Sequence, residues 1–305
     1  MDTTAIGKSG MRSTRLVYGC MRIMGDNSPE RRERGKQAVR TAVEEGINHF
    51  DHADIYGGGR CESLFGEVLR ETPGLREKLV ITSKCGIRGK DQPRIGDPGR
   101  YDFSRTYIVS SVEGSLARLG IETLDVLLLH RPDYLFRADE VAAAFQELQA
   151  AGKVRAFGVS NFRPSQVALL QRSCPMPLVM NQVEINIHHV APLLDGTLDQ
   201  CQELGITPQA WCPLGGVAYP AWGSTFTKVD EARIAGEFAL QARKHGTEPW
   251  VIALAWILAL PSVVLPIIGT TTAQRIRDSK RALGLGYSRE DWYRLLEARN
   301  GKPVP

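Results

Sequence analysis

Four titratable side chains stand just after short apolar segments of the sequence: Asp51, Tyr56, Lys84 and His130. Singly, they have ordinary explanations as a helix cap, a packed aromatic ring, a solvated charge and a core histidine. Together they form an acid–base set, because an ammonium group lowers the pKa of a nearby phenol and a carboxylate can hold that ammonium in a partly buried site. A neutral imidazole adds a hydrogen-bond donor. The set predicts proton transfer to a substrate oxygen.

These residues can meet only if the apolar segments before them are neighbouring strands. Eight segments of the chain are almost continuously apolar, which is typical of parallel strands covered on both faces. They are Leu16–Tyr18, Ile47–Phe50, Leu79–Thr82, Leu124–Leu129, Val154–Val159, Leu178–Val183, Ile206–Trp211 and Val264–Ile268. The sequence therefore predicts eight parallel strands.

Helical patterns separate the strands. They are Arg32–Glu45, Glu62–Arg70, Arg105–Leu119, Asp139–Ala150, Pro164–Arg172, Leu193–Leu204, Glu231–His245 with Trp250–Leu260, and Ala273–Leu283. Such alternation gives either a doubly wound open sheet or a closed barrel, and eight units in about 300 residues favour the (β/α)8 barrel. We expect one domain over residues 1–305, with a short hairpin at Ile6–Arg12 below the barrel and an extra helix at Ser288–Ala298.

Composition excludes several classes of function. The net charge of +4 is too small and too dispersed for a nucleic-acid-binding protein. The six cysteines form no CxxC pair or metal-ligand pattern, so we expect no metal and a reduced, cytoplasmic location. No apolar stretch is long enough for a membrane span, and we expect the longest, Trp250–Leu260, to be a buried helix.

Several motifs carry a resemblance to one protein family. They are FDHADIYG at Phe50–Gly57, SK at Ser83–Lys84, DVLLLH at Asp125–His130, GVSNF at Gly158–Phe162, NQVE at Asn181–Glu184, WCPLGG at Trp211–Gly216 and QRIR at Gln274–Arg277. In this order the motifs resemble the aldo-keto reductases, in particular their bacterial oxidoreductase branch. The chain also lacks GxGxxG, and the family binds its nucleotide without a Rossmann domain.

The resemblance implies an NADP(H)-dependent enzyme that reduces aldehydes or ketones to alcohols by hydride transfer. Tyr56 would be the proton donor, Lys84 would lower its pKa, and Asp51 would hold Lys84. His130, if neutral, would donate a ring N–H to the carbonyl oxygen. The substrate is a small carbonyl compound that the sequence does not identify.

The cofactor-binding residues that the resemblance implies are Gly19, Cys20, Ser160, Asn161, Gln182, Trp211, Cys212, Leu214, Gly216, Thr270, Thr271, Arg275, Asp278 and Ser279. Among them Ser160, Asn161 and Gln182 would bind the nicotinamide carboxamide. Trp211 would stack on the ring, its alternative role being a core aromatic of the barrel. The phosphates would lie at the backbone of Leu214–Gly216 and at Thr270 and Thr271, near the start of a helix.

The adenosine end of the nucleotide site departs from the family at one position. Arg275 matches the arginine that flanks the 2′-phosphate in the family. Members of the family commonly carry a lysine where this chain has Gly269, so one phosphate charge is missing and the preference for NADP over NAD is weakened.

The residues that we expect to line the substrate pocket are Met21, Ile23, Met24, Ile87, Tyr219 and Trp222. The glycine-containing segment Gly215–Phe226 could close over the cofactor. Two other functions stay open: a redox-sensing, NADPH-binding subunit that resembles the potassium-channel β subunits, and a barrel that has lost catalysis. The intact set of four argues against the latter. We expect a monomer or a small homo-oligomer.

Overall fold

The structure is a computed structural model, and it describes residues 1–219 and 225–305. Its strands are β1 (Thr3–Ala5), β2 (Arg12–Thr14), β3 (Val17–Gly19), β4 (His49–Asp51), β5 (Val80–Cys85), β6 (Ile87–Arg88), β7 (Arg100–Tyr101), β8 (Leu124–Leu129), β9 (Val154–Ser160), β10 (Leu178–Glu184), β11 (Thr207–Trp211) and β12 (Leu265–Ile268). The parallel strands close into a barrel in the order β10-β11-β12-β3-β4-β5-β8-β9. All eight predicted strands are confirmed as members of a (β/α)8 barrel.

Helices surround this barrel. In the described part of the chain they are α1 (Pro29–Glu44), α2 (Arg60–Glu71), α3 (Arg105–Leu119), α4 (Ala138–Ala150), α5 (Pro164–Ser173), α6 (Thr197–Leu204), α7 (Lys228–Lys244), α8 (Pro249–Leu258), α9 (Ala273–Ser279) and α10 (Arg289–Asn300). Each predicted helical pattern contains a helix. The one predicted over Leu193–Leu204 begins only at Thr197, because Gly196 before it adopts a left-handed φ of 84°.

The amino-terminal hairpin closes the bottom of the barrel. Strands β1 and β2 pair antiparallel, and the predicted segment Ile6–Arg12 is mostly their connecting loop. Ile6 is fully buried among apolar side chains of the barrel strands, and the Gly7 amide donates to Thr207 Oγ1 at 2.8 Å. A methyl group on Gly7 would meet the Val179 carbonyl oxygen at 2.6 Å, so a glycine is required at this close approach.

The predicted carboxy-terminal helix is α10, which packs on α7 and α8. Two tryptophans join it to α8: the rings of Trp256 and Trp292 stack at a centroid distance of 5.0 Å. Each indole N–H donates to the backbone carbonyl of the other tryptophan, at 3.2 and 3.0 Å. Helix α8 is apolar on all sides because it is covered both by the barrel and by these outer helices.

A second hairpin was not predicted. Strands β6 and β7 pair antiparallel beyond the carboxyl end of β5, and each is only two residues long. Their sequence is too short and too polar to show strand periodicity. The hairpin is supported by Arg88, whose guanidinium donates to Asp102 Oδ2 at 2.6 Å and lies 3.9 Å from the ring centroid of Tyr107. It forms one wall of the barrel mouth.

Candidate active site

The centre of the site is the ammonium group of Lys84, which is fully buried on β5. Lys84 Nζ donates to Asp51 Oδ2 at 2.7 Å, to the His52 carbonyl oxygen at 2.7 Å and to Tyr56 Oη at 3.2 Å. An ammonium group has three hydrogens, and all three therefore have acceptors. The cation is thus fixed in position beside the phenol, as the sequence predicts.

Tyr56 stands in a short turn between β4 and α2. The turn contains Gly57, Gly58 and Gly59, all with positive φ, so that the chain reverses tightly next to the ring. Burial raises the pKa of Tyr56 above its ordinary value, and Asp51 raises it further, whereas the charge of Lys84 lowers it. The effect of Lys84 has the expected sign, but burial outweighs it. Tyr56 is therefore protonated at neutral pH, as a proton donor must be.

His130 follows β8 and meets Tyr56 edge to face, with ring centroids 5.9 Å apart. Burial together with the charges of Lys84 and Arg131 holds the pKa of His130 well below its ordinary value. The ring is therefore neutral at physiological pH and has one N–H to donate. Its Nδ1 atom is buried without a hydrogen-bond partner.

The predicted carboxamide-binding residues adjoin the same site. Gln182 Nε2 donates to Asp51 Oδ1 at 2.8 Å, and Ser160 Oγ donates to the Gln182 carbonyl oxygen at 2.8 Å. Asn161, with a left-handed φ of 61°, donates through Nδ2 to the His130 carbonyl oxygen at 3.1 Å. The Trp211 indole donates to Asn161 Oδ1 at 2.9 Å. The structure therefore brings Ser160, Asn161, Gln182 and Trp211 together beside the catalytic set.

One residue of this cluster was missed. Gln209 is fully buried on β11, where its Oε1 accepts from Gln182 Nε2 at 2.9 Å and its own Nε2 has no partner. A signal was present, because a glutamine interrupts the apolar segment Ile206–Trp211. Buried amide groups without a hydrogen-bond partner are rare, so the Nε2 group of Gln209 is a donor that a ligand could use.

Another missed group supports the loop of Tyr56 from below. Glu62 is fully buried, and it accepts from Ser83 Oγ at 2.6 Å and from Arg118 Nε at 2.7 Å. Nearby, Asp54 has a buried Oδ1 atom without a partner. Burial and the Glu62 carboxylate raise the pKa of Asp54 to about 7. Sequence reasoning could not find these contacts, because they depend on how α2 and α3 pack.

The predicted phosphate-binding residues lie around the loop after β12. Thr270 and Thr271 are partly exposed there, and Arg275 is exposed on α9. Arg34, from the distant helix α1, was missed: its Nε donates to the Thr271 carbonyl oxygen at 3.3 Å and its Nη2 to Thr272 Oγ1 at 3.1 Å. Arg34 thus adds a cation to the loop after β12, and no local sequence pattern predicts this contact.

Gly269 has a cation beside it. A methyl group built on Gly269 would lie 3.6 Å from Nη1 of Arg22, so the guanidinium occupies the space next to the position where family members commonly carry lysine. Arg22 also lies over the ring of Tyr219, 5.8 Å from its centroid. A cation from another loop therefore lies beside the position where the resemblance implies a missing charge.

The remaining predicted cofactor residues have varied surroundings. Gly19 adjoins the loop after β12, whereas Cys20 is fully buried near Asp51 and Lys84. Cys212, Leu214 and Gly216 follow β11, and Asp278 accepts from Gln274 Nε2 at 3.0 Å. Ser279 is buried, and its hydroxyl donates to the Ile276 carbonyl oxygen at 2.6 Å within the helix. Its hydroxyl hydrogen is therefore used within the helix.

The residues predicted to line the substrate pocket differ in exposure. Met21 is 52% exposed, and Ile87 and Tyr219 are partly exposed near the barrel mouth. Ile23 and Met24, in contrast, are 1% and 3% exposed and belong to the main hydrophobic core. They pack the first loop onto the barrel helices. Trp222 and part of the segment Gly215–Phe226 lie outside the described residues.

No helix in residues 1–219 or 225–305 is long and apolar enough to cross a membrane. Within the same ranges, no group of three or more His, Cys, Asp or Glu side chains is arranged to hold a metal ion.

Comparison with known proteins identifies the family of this chain. Residues 15–300 match the profile of the Aldo/keto reductase family. The chain is 42% identical over 303 residues to oxidoreductase YdhF of Escherichia coli, with 98% of each chain covered. It is 37% identical over 301 residues to the 6-dehydroglucose reductase of Agrobacterium fabrum, covering 95% of this chain and 96% of that protein.

Solved structures agree with the sequence comparisons. The glycerol dehydrogenase of Gluconobacter oxydans superposes with a TM-score of 0.84 at 26% identity, covering 100% of this chain and 98% of that one. A thermostable aldo-keto reductase in complex with the inhibitor epalrestat gives a TM-score of 0.82 at 27% identity, with 98% and 100% covered. The chain belongs to the aldo-keto reductase family, and it is an oxidoreductase of this class.

Proposed function

We propose that this protein reduces aldehyde or ketone carbonyls to alcohols with NADPH, and that Tyr56 is the proton donor. The observation that carries the proposal is the position of Lys84, which donates one hydrogen to Tyr56 Oη and the other two to Asp51 and the His52 carbonyl. Because Oη already accepts from Lys84, the phenol's own hydrogen is free to point at a substrate oxygen. This arrangement allows Tyr56 to donate its proton to the substrate.

The residues divide the work of the reaction. Trp211, Ser160, Asn161 and Gln182 would hold a reduced nicotinamide, which would supply the hydride for the carbonyl carbon. His130 donates its N–H to the carbonyl oxygen and stabilises the developing charge. Tyr56 then transfers its proton to the oxygen, and the ammonium of Lys84 stabilises the phenolate until water returns a proton.

The residues present fit a dinucleotide. Trp211 offers an aromatic face beside Asn161, and Ser160 and Gln182 lie next to it. Gln209 Nε2, buried and without a partner, shows that the inner end of this site has unused hydrogen-bonding capacity. We propose that these residues orient the nicotinamide, so that one face of the ring is presented to the substrate.

The test of the proton donor is Tyr56→Phe. Removing the acid is expected to lower kcat for an aldehyde such as butanal by about 10²- to 10⁴-fold, the usual range for general acid catalysis. NADPH affinity should stay within about twofold, because the hydroxyl makes no proposed nucleotide contact. The measurements are steady-state NADPH oxidation and a fluorescence titration of NADPH.

Tyr134→Phe is the matched control, because it also removes a phenol hydroxyl, on a side chain that is 89% exposed in the loop after β8, but leaves the four-residue set intact. It should keep nearly full activity. Turnover of Tyr56→Phe within a few-fold of the unmodified protein would eliminate Tyr56 as the acid.

We further propose that NADP(H) is preferred over NAD(H). Arg275, Arg34 and Arg22 place three guanidinium groups near the loop after β12, where the 2′-phosphate would bind, and guanidinium can bind phosphate through two parallel hydrogen bonds. The expected preference is roughly 10- to 1,000-fold, with Gly269 placing it toward the lower end.

Arg275→Ala tests this preference. It should weaken NADPH by roughly tenfold and leave NADH unchanged, since only the phosphorylated ribose reaches that residue. Arg277→Ala is the control on the same helix, because Arg277 instead faces Glu45 at 3.5 Å and should affect neither nucleotide. Equal affinities in the unmodified protein, or a variant that loses both nucleotides alike, would overturn the assignment.

A further inference from the structure

Arg131 is a cation at the mouth of the barrel that the proposed mechanism does not use. It directly follows His130 at the carboxyl end of β8, and it is partly buried. Its charge contributes to the lowered pKa of His130, so the guanidinium lies close to the imidazole. Its Cζ atom lies 5.6 Å from the ring centroid of Trp211. Arg131 therefore stands between two residues of the candidate active site.

The contact with Trp211 requires the side chain to extend over the mouth. Trp211 ends β11, and in the barrel β8 and β11 are separated by β9 and β10. An arginine that pointed away from the barrel could not reach a ring three strands further round. The guanidinium thus lies over the carboxyl end of the barrel, where Tyr56 and His130 also stand.

Three other cations close to the site have carboxylate partners. Lys84 pairs with Asp51, Arg88 pairs with Asp102, and Arg118 pairs with Glu62. Arg131 makes no ion pair and no side-chain hydrogen bond with any residue in the ranges 1–219 and 225–305. Its donors are available to a ligand.

The nearest acid along the chain is already engaged. Asp133 accepts from the Phe103 amide at 3.0 Å through Oδ2 and from the Leu135 amide at 2.9 Å through Oδ1. Both carboxylate oxygens therefore serve the backbone of this loop. The sequence places an acid two residues from Arg131, but the structure shows that it is used elsewhere.

Arg131 is also placed apart from the proposed phosphate site. Strand β12, which carries the loop of Gly269 and Thr270, is four strands from β8 in either direction around the barrel. The two positions are therefore on opposite sides of the mouth. The cations near Gly269 can bind the nucleotide while Arg131 remains on the substrate side.

We propose that Arg131 is a specificity-determining residue that binds an anionic group of the substrate, a carboxylate or a phosphate, while the carbonyl of the same molecule reaches Tyr56 and His130. This inference rests on the carbonyl-reductase function proposed above. A guanidinium that stacks on an aromatic ring keeps its N–H edge free, and that edge matches the paired oxygens of carboxylate or phosphate. The preferred substrates are therefore aldehydes or ketones that carry such a group.

The test compares two four-carbon aldehydes, succinic semialdehyde and butanal, which differ by a terminal carboxylate. The unmodified protein should have at least a tenfold higher kcat/KM for succinic semialdehyde, and rising salt should reduce this ratio. Arg131→Met keeps the length of the side chain and removes the charge. It should lower the ratio about 10- to 100-fold, mainly through KM, while the rate with butanal stays within about threefold.

A phosphate arm distinguishes the two anions. Glyceraldehyde 3-phosphate is compared with glyceraldehyde in the same assay, and the larger ratio identifies which anion Arg131 takes. Arg172→Met, an exposed arginine near the end of α5, controls for net charge and should leave all ratios unchanged.

The outcomes separate the two proposals. If the unmodified protein reduces none of the four aldehydes, the carbonyl-reductase function itself fails. If it reduces them but prefers neither anionic aldehyde, or if Arg131→Met keeps the preference, only the role of Arg131 fails. The ratio and its salt dependence in the unmodified protein test the role even if the variant does not fold.

Discussion

Two buried carboxylates, one at each end of the barrel, are held in different ways. Asp125, near the amino end of β8, accepts from the Ile81 amide at 2.8 Å and pairs with Arg76 at 3.0 Å and Arg155 at 2.9 Å. Asp51, at the carboxyl end of β4, pairs with Lys84 at 2.7 Å. Both aspartates are at most 3% exposed.

The difference lies in the partners. Arg76 and Arg155 keep 21% and 60% of their side chains exposed, so their charges remain partly solvated and their contacts join β5, β8 and β9. Lys84 is fully buried, and its remaining hydrogen lies on Tyr56. The hydrogen bonds of Asp125 and its arginines stay within the scaffold, whereas Lys84 donates its third hydrogen to Tyr56, the proposed acid.

Two histidines show the same contrast. His49, on β4, bonds to Ser13 Oγ and to Thr82 Oγ1, each at 2.8 Å, so both ring nitrogens have partners. Burial lowers its pKa to about 3, and that of His130 is also well below the ordinary value. Of these two histidines, only His130 keeps a buried nitrogen without a partner. The ring of His49 is thus held within the scaffold, whereas that of His130 retains a free nitrogen beside Tyr56.

The largest expected effect that sharpens this contrast is that of Lys84→Met. We expect kcat to fall by about 10²- to 10³-fold. The pH optimum of alcohol oxidation should move upward, because Lys84 lowers the pKa of Tyr56 and its removal leaves burial and Asp51 to raise that pKa unopposed. The measurement is the pH–rate profile of NADP-linked alcohol oxidation.

Asp51→Asn belongs to the same test. Since Asp51 is proposed to act through Lys84, the losses in the double variant should be far from additive. An unchanged rate and pH profile for Lys84→Met would show that the Lys84 ammonium has only a structural role. The ion pairs of Asp51 and Asp125 would then not differ in function.

A smaller effect, on stability, is expected at the lower end. Asp125→Asn should lower the free energy of unfolding by about 1 to 3 kcal/mol, because two guanidinium groups lose their buried counter-charge. Values of kcat should remain within about twofold of the unmodified protein. Denaturant unfolding and the butanal assay measure the two quantities.

The matched control for Asp125→Asn is Arg155→Ala. Arg155 is 60% exposed, so its loss should cost about 0.5 kcal/mol, as for other surface ion pairs. A loss of activity in Asp125→Asn comparable to that in Lys84→Met would mean that the lower end is coupled to the chemistry after all.

Much of the scaffold could be predicted from local patterns. The eight strands follow from continuous apolar segments, and glycines such as Gly120 and Gly205 end helices in the left-handed conformation. The contact of Lys84 with Asp51 and Tyr56 was also predicted, since their strands are neighbours in a parallel barrel. These features depend on periodicity and chain order, which a sequence displays directly.

Only the tertiary structure decided which distant loops are in contact and how the opposing effects on the pKa of Tyr56 balance. Arg34 meets Thr271 across 237 residues, and Arg131 meets Trp211 across the barrel mouth. Ile23 and Met24 follow β3, as pocket residues would, but they turn into the core. The sequence determined that Lys84 lowers the pKa of Tyr56; that burial outweighs it depends on how much protein surrounds the ring, which only packing sets.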